Sequence, residues 1–524
     1  MKALILFGLI GLALTQSIPN SRQTDDCQRV VDIAIIGAGA SGAYAAYRLK
    51  DSQQVIELVE MSEQVGGRHL TTAFPDSPDI PIELGRTVYA AHHSRVVRLL
   101  QELGLGQLPI ASGRPIEMKS SYYLRGQFFQ EEDIQRGVRL PYNMTQEERD
   151  NQGQINRHYL KKLTDWDQDV LPREQILLLK VKDGRYLYEL TIDEALSYVA
   201  SDEGREYFLD YVKTRYAVYR DSSAVLIFAN ELEYNNESTS FYKVKDGMQS
   251  IPKTAVKLFL AASEMNKLTF NRKLEAIQRL SNMTYLLKLK ETKTVDGRIR
   301  ETGLEEFLCA KQVILTLPKD SMDHLQWSEL KTDRVTEALD AVRTVPAAVV
   351  AMEFDKPFWK EGDDEVARFT DLDITMSYVM GRSEISGKYI VVTSAADGDD
   401  VRDLERLNVG EEDGRRGMNI SRALSQHILQ QIKLVYGVKD ESLLQPTSAL
   451  GKIWTLPPHT GGTTTWRARR NFDDVIAVVQ RPSLVDKVYV ANSDFAFGNL
   501  VWTTEGALEV VDTVLHKYLG VVKP

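Results

Sequence analysis

Residues 31–36 form a nearly unbroken apolar run, VDIAII, of the length and character of a strand buried on both faces. Three glycines follow at Gly37, Gly39 and Gly42, and small and apolar residues over 41–49 continue as a helix. A second apolar run, VIELVE, ends on Glu60. Strand, turn, helix and strand in this order predict the start of a parallel sheet with covering helices. Further on, 268–270 and 274–280 read as a β pair, with 285–289 following, and 313–317 is a strand stopped by Pro318. The segment 245–252 is a turn that opens a helix over 253–262, with Pro252 near its first turn. The chain closes on a short strand at 488–490 and a helical stretch at 504–518.

Between these blocks the periodicity changes. Residues 141–239 are helical in pattern and dense in charge, with a capping box at Thr191 and Glu194 and a helix through Tyr207, Leu209, Tyr211 and Val212. They read as a helical insert with a solvated face. Residues 69–140 and 321–449 alternate more and are richer in aromatics (Tyr122, Tyr123, Phe128, Phe129, Val349, Val350 and 389–392), which predicts a second sheet. The acidic, glycine-interrupted segment 397–413 reads as a surface loop.

Composition adds bounds. The 524 residues, 43% hydrophobic and 26% charged, suffice for two or three domains with large cores. A net charge of −10 argues against a nucleic-acid or anionic-membrane surface. Lys2, an apolar run over 3–14 and then Thr15, Gln16 and Ser17 read as a secretory signal peptide over 1–17, too short to span a bilayer. Sequons at Asn143, Asn236, Asn282 and Asn419 suit a secreted glycoprotein. Cys27 and Cys309 each precede a strand: they form a disulfide if those strands share a sheet, and are two buried thiols otherwise.

The glycines carry the chemistry. Gly37 permits the tight turn, Gly39 lets the backbone approach a pyrophosphate, and Gly42 lets the helix pack close to the strand. The helix N-terminus then offers free N–H groups to the phosphates. Glu60, closing the second strand, can accept from a ribose 2′-OH and repels a 2′-phosphate, so NADP is not expected.

With Gly66-Gly67-Arg68, Glu83-Leu84-Gly85, Asp246-Gly247-Met248, Asp355 to Trp359 and Trp502-x-x-Glu505-Gly506-Ala507, the chain resembles the flavin-containing amine oxidase family. It looks most like the secreted L-amino-acid oxidases of venoms and mollusc secretions. The resemblance implies an α/β fold: a discontinuous Rossmann-like FAD-binding domain (28–68, 240–320 and 450–524), a mixed-sheet substrate domain (69–140 and 321–449) and a helical domain (141–239). It implies non-covalent FAD. Ala40 and Ser41 would meet the pyrophosphate, Glu60 and Met61 the adenosine side, and Gly67 and Arg68 the phosphates or flavin. Gly85, Arg86 and Leu274 would contact flavin and adenine, Asp494 the ribityl chain, and Trp502, Thr503 and Thr504 the pyrimidine end of the flavin. The implied reaction moves a hydride from the amine-bearing carbon to flavin and two electrons on to O2, giving H2O2. The imine then hydrolyses to a keto acid or aldehyde and ammonia. The implied partners are a small-molecule substrate and O2, with no nucleic acid and no membrane. The oligomeric state stays open, a homodimer included.

Departures from the family pattern cluster on the substrate side. Counting without gaps puts the family's carboxylate-binding arginine at Val88, with Arg86 as the nearest cation. It puts the family's lysine at Val349 and a substrate tyrosine at Ala395. A valine cannot clamp a carboxylate as a bidentate arginine does. Two readings follow: an active oxidase using Arg86, Trp466 and Trp502 at the substrate, or a secreted FAD-binding protein whose catalysis is changed or lost. His459, in a Gly/Pro loop, is a further candidate for facing substrate. His92 and His93, read as part of a helix over 90–100, point to different sides there, so no metal site is expected.

Overall fold

The structure is a computed structural model. It describes residues 27, 29–109, 119–213, 219–234, 239–295, 298–360, 362, 366–395, 398–408, 418–455 and 461–522. The signal peptide expected over 1–17, Asn236 and His459 lie outside the described residues.

Arg29–Ile36 lies inside a seven-stranded sheet, with parallel neighbours Ile56–Val59 on one side and Arg298–Leu315 on the other. Flanked on both sides and covered on both faces, it is buried from Ile33 to Ile36, which is why its sequence is a run and not an alternation. Helices Ala40–Leu49, Ser250–Ala262 and Thr504–Leu519 share one core with it through Ile33, Ile35, Phe259 and Leu508. The 18-residue strand Arg298–Leu315 joins two halves of the sheet. Its first part pairs antiparallel with Tyr285–Val295, and its last residues pair parallel with Arg29–Ile36 and Val488–Val490.

The expected pairing of 268–270 with 274–280 does not form. Leu268 pairs in parallel with Leu58, and Arg272–Arg279 pairs with Tyr285–Val295. Asn271, between the two strands, has φ +58° and turns the chain from one partner to the other. Cys27 and Cys309 are bonded, with Cα atoms 5.7 Å apart. Val30 pairs in register with Cys309, which brings the upstream cysteine within reach. The two-thiol alternative falls.

The second sheet also has seven strands, in the order Ser448–Ile453, Ala348–Phe354, Tyr389–Ala395, Met376–Arg382, Val366–Thr370, Lys119–Leu124 and Gln127–Gln130. Strand periodicity sends alternate residues to opposite faces. Val350, Met352 and Phe354 pack under helix Arg422–Tyr436, while Ala351, Ile390 and Val392 face Leu70, Ile82, Leu84 and Trp454. The segment expected as an acidic loop holds helix Gly398–Leu407, whose Val401 and Leu404, three residues apart, are buried. In the helical region the capping box at Thr191 and Glu194 starts helix Ile192–Ser197, and Asp202–Lys213 buries Tyr207 and Phe208. Asn143 and Asn282 are exposed, and Asn419 is half-buried.

Candidate functional site

The cleft begins at the glycine turn. Gly37 has φ +102°, and a Cβ on Gly42 would lie 1.8 Å from the Gly37 carbonyl oxygen, so both positions exclude a side chain. Gly39 differs: a Cβ there would meet nothing nearer than 3.8 Å, so its bareness serves what approaches from outside. Gly39 is the N-cap of Ala40–Leu49, no side chain caps that helix, and its first-turn N–H groups, at Ala40 and Ser41, remain for a ligand. Glu60 is buried. One carboxylate oxygen accepts from the Ala38 N–H (2.7 Å), and the other from the Ser62 N–H (2.9 Å) and hydroxyl (2.8 Å). A carboxylate has about four acceptor positions, so one stays open for a ribose hydroxyl. Met61 lies half-buried beside it, its carbonyl bonded to Thr292 Oγ1 at 2.5 Å, and Leu274 packs in the core.

Beyond the turn, Gly66 bridges Gly39, and Arg68 donates to Ser493 Oγ (2.9 Å) and Asp494 Oδ1 (2.6 Å). The other oxygen of buried Asp494 accepts from the Lys319 N–H at 2.9 Å. A Cβ on Gly85 would lie 1.9 Å from the Arg68 carbonyl oxygen, and the Arg86 N–H donates to that same oxygen at 3.0 Å. The Arg86 guanidinium donates to the carbonyls of Val88 (3.0 Å) and Trp502 (3.1 Å). Thr503 caps helix Thr504–Leu519 by accepting the Gly506 N–H at 2.9 Å. Glu505 caps the neighbouring helix Ser94–Leu103, accepting from the N–H groups of Arg95 and Val96 at 3.0 Å each. Glu83 accepts from the Met248 N–H (2.7 Å) and Thr71 hydroxyl (2.8 Å), and burial pushes its carboxyl up to about 7.

The inner face of the second sheet supplies groups that counting along the sequence did not find. Lys452 lies directly across from Val349, and residues directly opposite on paired antiparallel strands share a face. Ser394 is the other cross-strand neighbour of Val349, and Tyr378, opposite Val392, stands on the same face. Lys452 and Tyr378 are half-buried, deep in the molecule. Burial pulls the Lys452 ammonium below the usual lysine range and raises the Tyr378 phenol. Lys452 Nζ is 5.4 Å from the Trp454 ring centroid, and no ion pair holds it among the described residues. Ala395 pairs with Ala348 and packs on the opposite face, under helix Arg422–Tyr436. A substrate tyrosine could not act from there.

Trp466 was expected at the substrate. It is instead wholly buried, its indole N–H on the Ala496 carbonyl (3.1 Å) and its ring against Phe472. Trp502 is half-buried at the cleft. The helix after the cofactor turn starts at Ser94, and His92 and His93 precede it with ring centroids 4.9 Å apart, so they do not point to different sides. With Glu233 they bring three potential ligand atoms within 4.8 Å of one another. His93 Nδ1 accepts from the Ala90 N–H at 3.3 Å, which leaves the ring proton on Nε2, the wrong tautomer for a metal there.

Residues 40–509 match the family model of flavin-containing amine oxidoreductases, and the chain belongs to that family. Aplysianin-A of Aplysia kurodai is 38% identical over 509 residues, 94% of this chain and 91% of that protein. Achacin of Lissachatina fulica is 33% identical over 508 residues, 95% of this chain and 94% of that protein. The fold is also that of a solved putrescine oxidase with putrescine bound, at a TM-score of 0.67 and 16% identity over 94% of this chain and 99% of that one. The donor set fits a flavin nucleotide. Gly39 would leave room for its phosphates, the uncapped helix would offer them N–H groups, and the buried carboxylate of Asp494 could accept from a polyol chain.

Proposed function

We propose that the chain is a secreted FAD-dependent oxidase of L-amino acids or related amines, with FAD held non-covalently. The observation that carries this reading is Lys452: the position directly across from Val349 supplies the amine that Val349 lacks. Tyr378 supplies a phenol on the same face where Ala395 does not. The flavin, when bound, supplies a two-electron acceptor that O2 reoxidises, giving H2O2.

The residues have separable roles. The N–H groups of Ala40 and Ser41 and the carboxylate of Glu60 hold the nucleotide half, and Asp494, oriented by Arg68, holds the linker. Lys452 Nζ, its ammonium weakened by burial, takes the proton a substrate ammonium must lose before oxidation. Tyr378 orients the substrate from the same wall, and Trp502 closes the cleft. Arg86, engaged with the Trp502 and Val88 carbonyls, steadies the flavin end. In this reading residues 28–68, 240–320 and 450–524 bind FAD, 69–140 and 321–449 form the substrate domain, and 141–239 the helical domain. The two cysteines are joined to each other, which leaves no thiol for a cysteinyl attachment and supports the non-covalent reading. The disulfide, the apolar segment at 3–14 and the exposed sequons favour an oxidising, extracellular setting. No helix of the described residues is long and apolar enough to cross a membrane.

A second reading, a flavin-binding protein without amine oxidation, draws on Val88, which offers no cation to a carboxylate. A peroxide assay separates the two. Flavin-loaded protein is offered the common L-amino acids, then primary amines and polyamines. Turnover on the order of 1–1000 per second supports the oxidase. Bound flavin with no turnover on any amine supports the second reading. Release of the flavin on acid precipitation tests non-covalent binding.

A further inference from the structure

Residues 66–69 stand beside successive parts of the cleft. Gly66 bridges Gly39, a Cβ on Gly67 would lie 3.1 Å from Gly39 Cα, Arg68 reaches Ser493 and Asp494, and His69 reaches Thr504. The strip thus runs from the phosphate end of the site to helix Thr504–Leu519. A dinucleotide whose diphosphate sat on Ala40–Leu49 and whose adenosine side lay at Glu60 would direct its redox ring toward the other end of this strip, at His69.

The His69 imidazole is 6% exposed, and its Nε2 is 3.0 Å from Thr504 Oγ1. The Thr503 hydroxyl is already engaged, accepting from the Gly506 N–H and donating to the Leu500 carbonyl, both at 2.9 Å. The Thr504 hydroxyl, on the first helical residue, is held by His69. Burial, with Arg86 and Arg68 alongside, pushes the imidazole down to about 3, so the ring is neutral at physiological pH. His69 therefore acts through its hydrogen bond and not through a charge.

We propose that His69 is a positioning residue for the redox end of the flavin: by fixing the Thr504 hydroxyl it aims the first turn of helix Thr504–Leu519 at the ring and stabilises the negative charge gained on reduction. The proposal rests on the flavin reading above. Helix N-terminal N–H groups favour negative charge only within about the first turn, so a small loss of alignment is felt at the ring.

The test compares the full chain with His69→Leu and His69→Gln, each loaded with FAD. The readouts are flavin content, two-electron reduction potential and affinity for sulfite, an anion that adds to oxidised flavin and leaves negative charge on the ring. His69→Leu is expected to keep its flavin but to favour the oxidised ring about tenfold more, a potential about 30 mV lower, and to bind sulfite about tenfold more weakly. His69→Gln, neutral and able to reach Thr504, is expected to recover most of the shift. A His69→Leu protein with full flavin and an unchanged potential overturns the proposal. If that variant does not fold, Thr504→Val removes the hydroxyl from the other side and must lower the potential likewise; an unchanged potential there also overturns it. A wild-type chain without flavin absorbance overturns the flavin reading itself, and this one with it.

Discussion

Lys452 and Glu83 are two ionisable side chains near the inner face of the second sheet whose ionisation burial disfavours. Lys452→Met keeps the length of the side chain and removes the amine. It should lower kcat by about 100-fold or more while flavin content is unchanged, since a positioned acid–base group contributes about 10²–10⁴. Steady-state peroxide kinetics beside a flavin spectrum check this, and an unaltered kcat removes Lys452 from the chemistry. Glu83 answers to pH. Its carboxyl titrates at about 7 when folded and near 4.5 when unfolded, because burial disfavours the ion more than the Met248 N–H, the Thr71 hydroxyl and Lys243 favour it. The unfolded chain therefore ionises first, and stability falls as pH rises from about 4.5 through 7, by about 3 kcal/mol if the whole shift is realised. Glu83→Gln should flatten that fall, as read from denaturant midpoints at pH 5 and pH 8. Neither residue's role was legible in the sequence. Counting along the chain reached Val349 and stopped, because Lys452 comes opposite it only through the pairing of two strands about a hundred residues apart. Counting also reached Ala395, one residue beyond Ser394, and a one-residue step along a strand changes face.

At the scale of the element, the glycine turn was readable because its constraints are local. Strand, turn, helix and acid fall within one short stretch, and the tightest glycine contact, Gly42 against the Gly37 carbonyl, is made within it. The turn also separates two uses of glycine. Gly42→Ala drives a Cβ to 1.8 Å from the Gly37 carbonyl oxygen and should destabilise the protein by about 3 kcal/mol or more, flavin or no flavin. Gly39→Val meets no protein atom at its Cβ nearer than 3.8 Å and should leave the apoprotein melting temperature nearly unchanged while flavin retention is lost. Thermal melts with and without added FAD distinguish the two. Partners distant in sequence were less legible. The pairing of Leu268 with Leu58 required knowing that Asn271 takes a positive φ. The helix Gly398–Leu407 hid within an acidic segment because two buried residues, Val401 and Leu404, make its apolar stripe.

For the molecule as a whole, the bond from Cys27 to Cys309 fastens the N-terminal strand to its neighbour across 282 residues. Removing it with Cys309→Ser should cost about 2–5 kcal/mol, seen as a lower denaturant midpoint that reducing agent reproduces in the wild type. The strand Arg298–Leu315 sets a further condition on how the protein is made. It takes one partner from the first forty residues and another from the last forty, so the central sheet has an open side until Val488–Val490 has been synthesised. Thr504, at the far end of the cofactor cleft, leaves the ribosome later still. A nascent chain cannot load its flavin piecemeal. It must hold a parallel sheet edge uncovered from the synthesis of Leu315 until that of Val488–Val490, and complete the cofactor site only after that.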